Sequence, residues 1–192
     1  MNLVSKVSLG LAAAATVALG SLDTWTRATY RGSLQEMVTS SAERTSDVIK
    51  RSTRHAMMKN SREDLYFIIH SIGRQPGISR VRIFNKEGRI SFSTEAAESG
   101  AFVDKTAEAC YGCHARSAPL EKLNRPERMR EFRQPETGGR VLALINPIEN
   151  EPDCSNAACH AHPASKRILG VLDVHVPLDR VDAMLATYDR RI

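Results

Sequence analysis

Every cysteine of this 192-residue chain lies in one of two short clusters, and each cluster ends in Cys-His. Residues 110–114 read Cys-Tyr-Gly-Cys-His, and residues 154–160 read Cys-Ser-Asn-Ala-Ala-Cys-His. The pattern Cys-x-x-Cys-His is the attachment site of a c-type haem. The two thiols bond to the vinyl groups along one side of the porphyrin, and the histidine binds the iron through a ring nitrogen. The sequence therefore predicts a fold built around two covalently bound haems.

The cysteines and the histidine of each cluster have expected roles in binding haem. The expected haem-binding cysteines are Cys110, Cys113, Cys154 and Cys159, and the expected iron ligands are His114 and His160. The spacer in the second cluster has four residues instead of two, so it must bulge to keep both sulfurs on the vinyl groups.

Two other uses of four cysteines remain alternatives. An exported chain could form two disulfides, and cysteines with neighbouring histidines could hold zinc. Neither use explains why a histidine directly follows the last cysteine of each cluster. For the second cluster taken alone, a disulfide with a surface histidine remains an alternative.

The N-terminus indicates export from the cytoplasm. Lys6 precedes sixteen uncharged residues, 7–22, which is typical of a signal sequence. Residues 18–20 (Ala-Leu-Gly) form an acceptable cleavage site, but Trp25 stands where an interfacial aromatic would anchor a membrane helix. We favour an uncleaved anchor, and with either alternative the body of the protein lies outside the cytoplasm.

The length of the chain indicates how many domains it can form, and its charge indicates which partners it can bind. The chain after the apolar segment is long enough for one domain with its own core. The net charge of +5 would be largely offset by four haem propionates, and the arginines are scattered rather than clustered. We therefore expect no nucleic-acid partner.

The chain divides into four expected segments: an anchor (1–22), a long helix (23–60), a haem-bearing domain (61–178) and a C-terminal helix (179–192). The long helix carries a thin stripe of small and apolar residues at spacings of three or four. This stripe predicts either a dimer contact with a second copy or a contact with the chain's own domain, and its members are Leu34, Val38, Ser41, Thr45, Val48, Ser52 and His55.

Alternating apolar residues predict about five antiparallel strands after a short helix capped by Ser61. The hairpin strands, 78–84 and 89–94, alternate apolar and polar residues and should be half-buried. A strand over 140–145 should end at Pro147, and further strands are expected near 128–132 and 167–176. The fold class predicted is α+β, with an anchor and a long helix followed by a PAS-like sheet that carries two haem-bearing insertions.

Particular stretches resemble the extracytoplasmic PAS-like sensor region of bacterial membrane histidine kinases that carry c-type haems. The resemblance covers most of residues 50–176. It is carried by 72–75 (IGRQ), 81–90 (VRIFNKEGRI), 109–114 (ACYGCH), 145–152 (INPIENEP), 154–163 with its Cys, His and Pro residues, and 169–174 (LGVLDV).

The resemblance implies that Cys154 and Cys159 do carry a haem, and that the domain senses redox state or a small ligand. It also implies a periplasmic domain held at the inner membrane. Kinases of this type continue into a second membrane helix and a kinase core, whereas this chain ends at Ile192 without kinase residues. The chain is therefore expected to be a sensor portion or to signal through a separate histidine kinase core or redox partner.

The sixth ligand of each iron is less constrained by sequence. His162 could reach the haem other than that of its neighbour His160, and a methionine could supply a thioether. The candidate distal ligands are His162, Met57, Met58 and His55, whereas His70 and His175 are expected to have ordinary surface or core roles.

Two functions remain open at this point, a haem sensor and a dihaem electron carrier. The long helix next to the anchor favours the sensor, since a carrier gains nothing from a stalk. No enzymatic activity is expected, because no distal acid–base residue for a haem enzyme is evident.

Overall fold

The computed structural model describes residues 2–103, 125–135, 137–156 and 162–191. These residues form an α+β structure with a long N-terminal helix and a five-stranded antiparallel sheet, which confirms that part of the expected fold class. The helices are α1 (Leu3–Met58), α2 (Arg62–Gly73), α3 (Pro152–Ser155) and α4 (Asp179–Arg191). The strands are β1 (Arg80–Asn85), β2 (Ile90–Ser93), β3 (Met129–Arg133), β4 (Arg140–Glu149) and β5 (Ile168–Pro177).

The chain divides into two compact units, Met1–Ser40 and Ser41–Ile192. The first is helical from Leu3 onward, and most of its side chains are exposed. Helix α1 contains a stretch that is long and apolar enough to cross a membrane. A signal sequence near an N-terminus has the same character, so the stretch fits an anchor and a signal equally.

The second unit begins with the last turns of α1, and these turns bury a different face from the one expected. The exposed side chains include Ser41, Val48, Ser52 and His55, with Val48 60% exposed. The buried side chains are Ala42, Ser46, Ile49, Thr53 and Ala56. The contact with the chain's own domain therefore uses residues one position along from the predicted stripe. Of the remaining stripe residues, Val38 and Thr45 are half-buried and Leu34 is buried.

Helix α2 starts where the sequence predicts. The Ser61 hydroxyl accepts a hydrogen bond from the Asp64 amide at 3.3 Å, so it caps the helix N-terminus. Leu65 and Ile69 are its buried residues, and they join Ile49 of α1 in one core cluster. The same cluster includes Val81 and Ile83 of β1 and Leu172 and Val174 of β5. Both helices therefore cover one face of the sheet.

The sheet order is β2-β1-β5-β4-β3, so β2 and β3 are the two edge strands. Strand β5 lies at the centre, paired with β1 on one side and with β4 on the other. The hairpin between β1 and β2 turns at Gly88, whose φ of 87° favours glycine. The Asn85 side-chain oxygen accepts from the amides of Glu87 and Arg89, which fixes this turn.

Strand β4 does not end at Pro147, contrary to the expectation, and continues to Glu149. Pro147 is in register with Val171 of β5, whereas β3 pairs with β4 only as far as Leu144. Beyond Leu144 the other side of β4 has no ladder to β3, so the missing proline N–H removes no bond between those two strands.

The hairpin strands are also more buried than predicted. The four central residues of β1 are all buried, including Arg82, which is only 6% exposed. Asp173 and His175 of β5 are buried as well. Both faces of the central sheet are therefore covered, and the polar residues that alternate with Val and Leu are not on a solvated face.

Candidate functional site

A cavity of about 560 Å³ opens on the helix-covered side of the sheet, within the second unit. Its walls come from the end of α1, the start of α2, the ends of β1 and β4, and the segment after β4. Leu65, Ile83 and Phe92 supply much of the apolar wall. This volume falls in the range of small-molecule and cofactor sites, about 300–1,000 Å³.

Four of the residues singled out by sequence reasoning line this cavity together: Met57, Met58, Cys154 and His162. They come from the end of α1, from α3 and from the segment before β5, so only the tertiary fold brings them to one place. Met57 is half-buried against the core cluster, and Cys154 has a free, partly exposed thiol. His55 is exposed on α1 and does not line the cavity.

The other predicted haem residues lie outside the part of the chain that the structure describes. These are Cys110, Cys113 and His114 of the first cluster, and Cys159 and His160 of the second.

Sequence reasoning did not identify the arginines that line the same cavity. Arg51 lines the cavity, and the Arg62 guanidinium lies 5.1 Å from the centre of the Phe92 ring. Both could pair with carboxylates of a ligand, since guanidinium binds carboxylate with paired hydrogen bonds. Their position near the turn between α1 and α2 gives no motif by which sequence alone could find them.

A second group of charges joins α1 to the segment that leads into the second cluster. Lys50 forms an ion pair with Glu149 at the end of β4. The Arg54 guanidinium lies 2.6 Å from the Glu151 carboxylate and 3.1 Å from that of Asp153. Each pair is partly exposed and contributes about 0.2–1 kcal/mol at most, but together they hold the chain just before Cys154 against α1.

The described residues at this cavity fit a c-type haem. A cysteine for the covalent bond, thioether and imidazole side chains for the iron, apolar walls for the macrocycle and arginines for the propionates all face one space. Cys154 would hold the haem there, while Met57, Met58 and His162 are the side chains within this cavity that could bind iron. Among the described residues there is no cluster of three or more His, Cys, Asp or Glu side chains for a free metal ion.

The opposite face of the sheet carries a buried charged network. Arg82 Nε and Nη2 lie 2.8 and 2.7 Å from Asp173 Oδ2, and His175 Nε2 lies 3.1 Å from the same oxygen. Burial pushes the pKa of Asp173 up, but the hydrogen bond and charge of His175 and the ion pair with Arg82 hold that pKa below its ordinary value. Asp173 is therefore an ionised carboxylate inside the protein.

The signal for this network in the sequence was the alternation of Arg82 with Val81 and Ile83, and of Asp173 and His175 with Leu and Val. For Arg82 this alternation predicts a half-buried strand with one solvated face, because period-two patterns usually indicate one.

No protein-family model matches the chain, and no curated protein matches it in sequence.

Proposed function

We propose that this chain is an extracytoplasmic dihaem c-type sensor module, which detects redox state or a small haem ligand and passes the change to a signalling partner. The observation that carries the proposal is the cavity shared by Cys154, His162, Met57 and Met58. One wall of that cavity is the end of α1, the helix that also contains the apolar N-terminal stretch. A structural change at this cavity would therefore act directly on α1, which we propose transmits the signal.

The proposed fold is PAS-like with two haem-bearing insertions, as in the sensor regions of bacterial haem-binding histidine kinases. The order of elements supports this, since a helix and a hairpin are followed by three further paired strands before the C-terminal helix. In this proposal Cys110 and Cys113 hold the first haem and Cys154 and Cys159 the second, with His114 and His160 as iron ligands. The domain would lie in the periplasm, held at the inner membrane by α1.

Bound haem would supply an iron centre that changes oxidation state or takes up a small ligand. The chain's own residues would do the rest. Met57, at the end of α1, and His162, far from it in the sequence, both line the cavity. Arg51 and Arg62 line it as well and can bind carboxylates. Lys50 and Arg54 tie α1 to the residues just before Cys154, so a displacement of that segment pulls on the helix.

The exposed stripe of α1 supports a homodimer as the form that signals. Ser41, Val48, Ser52 and His55 are separated by seven, four and three positions, which is the spacing of residues on a coiled-coil seam. The domain does not cover these side chains. A parallel pair of such helices could transmit a shift of about an ångström to a histidine kinase core or another partner.

Haem content is the first test. The exported chain, produced with cytochrome c maturation, should have an intact mass that exceeds the polypeptide by two haems, and both should remain after denaturation. Cys110→Ala with Cys113→Ala should remove one haem, and Cys154→Ala with Cys159→Ala the other. A chain that gains one haem, lost only with the first pair of substitutions, would show that the second cluster is empty.

Sedimentation of the oxidised and reduced protein separates the sensor from the electron carrier. We expect a weak dimer whose dissociation constant depends on redox state, and we expect Val48→Asp to abolish the dimer because it places a charge on the exposed stripe. Ser33→Asp, which also adds one negative charge at an exposed residue of α1 but lies outside that stripe, is the matched control. A monomer that behaves identically in both redox states would favour the electron carrier.

A further inference from the structure

The cavity on the helix-covered side of the sheet extends across four strands. Its lining includes Phe92 of β2, Ile83 of β1, Leu169 of β5 and Ile148 of β4. These strands are neighbours in the order β2-β1-β5-β4. Because neighbouring strands lie about 4.8 Å apart, three spacings make this surface about 14 Å wide. That width is close to the length of a porphyrin from its vinyl edge to its propionates, so a porphyrin fits lengthwise across the strands.

One end of the cavity lies where α1 packs on the end of β4. The Asn146 amide of β4 donates to Asp47 of α1 at 2.8 Å, and the Asp153 carboxylate lies 3.1 Å from the Arg54 guanidinium. Cys154 follows Asp153 directly and lines the cavity. A thioether bond at Cys154 would therefore place the vinyl edge of a porphyrin at this end.

The other end of the cavity lies where α2 begins, beside β2. The Arg62 guanidinium lies over the Phe92 ring, 5.1 Å from its centre. This contact uses the face of the guanidinium, whereas the N–H donors lie in its plane and can bind a carboxylate. Vinyl groups and propionates lie on opposite edges of a porphyrin. The edge away from Cys154 would thus present its carboxylates to Arg62.

We propose that the porphyrin attached at Cys154 lies lengthwise across the sheet, with its vinyl edge at the end of β4 and a propionate bound by Arg62 beside β2. This inference rests on the proposed function, because it takes the ligand of the cavity to be a haem. Arg62 is then a binding residue, and Phe92 positions its guanidinium. At the vinyl end, Lys50 and Arg54 already pair with carboxylates of the chain, which favours the β2 end for the added negative charge.

The test measures non-covalent binding of an iron-free porphyrin, so it does not need haem attachment. The full-length chain is produced without cytochrome c maturation, and serine replaces its four cysteines: Cys110→Ser, Cys113→Ser, Cys154→Ser and Cys159→Ser. Fluorescence titration compares protoporphyrin IX with its dimethyl ester, which has no free carboxylate. The diacid should bind about threefold to tenfold more tightly than the ester, and Arg62→Met should abolish that preference without weakening the ester.

Two arginines provide matched controls. Arg180 is exposed on α4 and is not a lining residue, whereas Arg51 lines the cavity from α1, next to Lys50. Arg180→Met and Arg51→Met should both keep the preference for the diacid. Ser91→Trp, which fills the β2 end of the cavity, should weaken binding of both porphyrins.

Four results of the titration would overturn the inference. They are a folded chain that binds neither porphyrin, an unchanged preference in Arg62→Met, a preference that Arg51→Met abolishes instead, and unchanged binding in Ser91→Trp.

The haem-loaded chain provides a second measurement in case the cysteine-free chain does not fold. Cys110→Ala with Cys113→Ala leaves only the second haem. Arg62→Met should then lower its reduction potential, because a propionate without its cationic partner stabilises the oxidised iron, and Arg180→Met should not. The same potential in Arg62→Met and in the parent would overturn the inference. An intact mass without haem at the second cluster would overturn the proposed function instead, so the two failures are distinguishable.

Discussion

At the scale of single residues, the interior of the sheet depends on charges that neutralise one another. Asp173 is fully buried, and its carboxylate is compensated by Arg82 and by the imidazole of His175. Removing one partner of a buried ion pair leaves an uncompensated charge, which typically costs about 3–5 kcal/mol. These residues therefore contribute strongly to the stability of the sheet.

Asp173→Asn should lower the free energy of unfolding by about 3–5 kcal/mol at neutral pH. The folded-state pKa of Asp173 is depressed, so its stabilising contribution is present above the unfolded-state pKa of about 4 and is lost as pH falls towards the lower folded-state pKa. The difference in the free energy of unfolding between the parent and Asp173→Asn should thus become smaller below about pH 4. Chemical denaturation between pH 3 and 7 measures this.

Asp153→Asn is the control for that experiment, because Asp153 forms an ion pair but its side chain is 67% exposed. It should change the free energy of unfolding by no more than about 1 kcal/mol. A destabilisation of Asp173→Asn that stayed constant across the whole pH range would contradict the assigned ionisation.

Gly170 shows a second constraint at this scale, a close approach of two backbones. A Cβ atom at Gly170 would lie 2.5 Å from the Phe84 carbonyl oxygen, across the pairing of β5 with β1. Gly170→Ala should destabilise the protein by about 1–3 kcal/mol, because the strands must move apart. Gly32→Ala, where nothing lies within 4 Å, should be neutral or slightly stabilising in the helix. Thermal unfolding of both variants tests the contrast, and equal effects would contradict it.

At the scale of elements, the end of α1 has two different faces. Ile49 is fully buried in the core cluster, whereas the adjacent Val48 is 60% exposed. On the sheet side, the Asn146 amide donates to Ser46 Oγ at 3.2 Å and to Asp47 Oδ1 at 2.8 Å, which fixes how α1 lies on β4. One face of the helix therefore belongs to the fold, and the other remains available to a second copy.

Ile49→Ala should lower the free energy of unfolding by about 2–5 kcal/mol, because it leaves a cavity in the core. Val48→Ala removes a similar apolar group from the exposed face and should change that free energy by less than about 0.5 kcal/mol. On the proposed dimer the two substitutions should act in the reverse order, with Val48→Ala weakening it more than Ile49→Ala. Denaturation and sedimentation of the same samples measure both effects. Equal destabilisation by the two variants would mean that the faces of α1 are assigned incorrectly.

At the scale of the whole molecule, the core cluster and the exposed stripe of α1 both lie in the second unit, whereas the apolar stretch 7–22 lies in the first. The buried network and the cavity are formed by residues after Ser40. At the other end of the sheet, Arg140 of β4 forms ion pairs with Glu131 of β3 and Asp182 of α4. Ion pairs therefore join both α1, at the start of the second unit, and α4, at its end, to strand β4.

A chain that starts at Ser41 and is exported behind a separate cleavable signal peptide should keep the folded domain and the proposed haems but lose membrane association. The reason is that the residues removed supply none of the cavity lining, whereas the apolar stretch lies wholly among them. Cell fractionation with circular dichroism of the purified protein tests this. A shortened chain that still sediments with membranes would show that α1 is not the anchor.

The sequence alone determined the local chemistry and most of the elements. The Ser61 cap, the turn at Gly88 and the alternation in β1 and β5 are short-range patterns, so they could be located without knowing the fold. The Cys-His spacing likewise specified the candidate haem residues, because that chemistry needs neighbouring positions in the chain.

Only the tertiary structure decided which faces are buried. The buried residues of α1 lie one position along from the predicted stripe, because Ile49 packs into the core cluster between the helices and the sheet. The tertiary structure placed Met57 and His162 on one cavity, although about a hundred positions separate them in the sequence. It also covered the second face of the sheet, so the alternating Arg82, Asp173 and His175 pair with each other rather than with water. Burial on both sides is a property of packed layers, which period-two alternation within one strand does not encode.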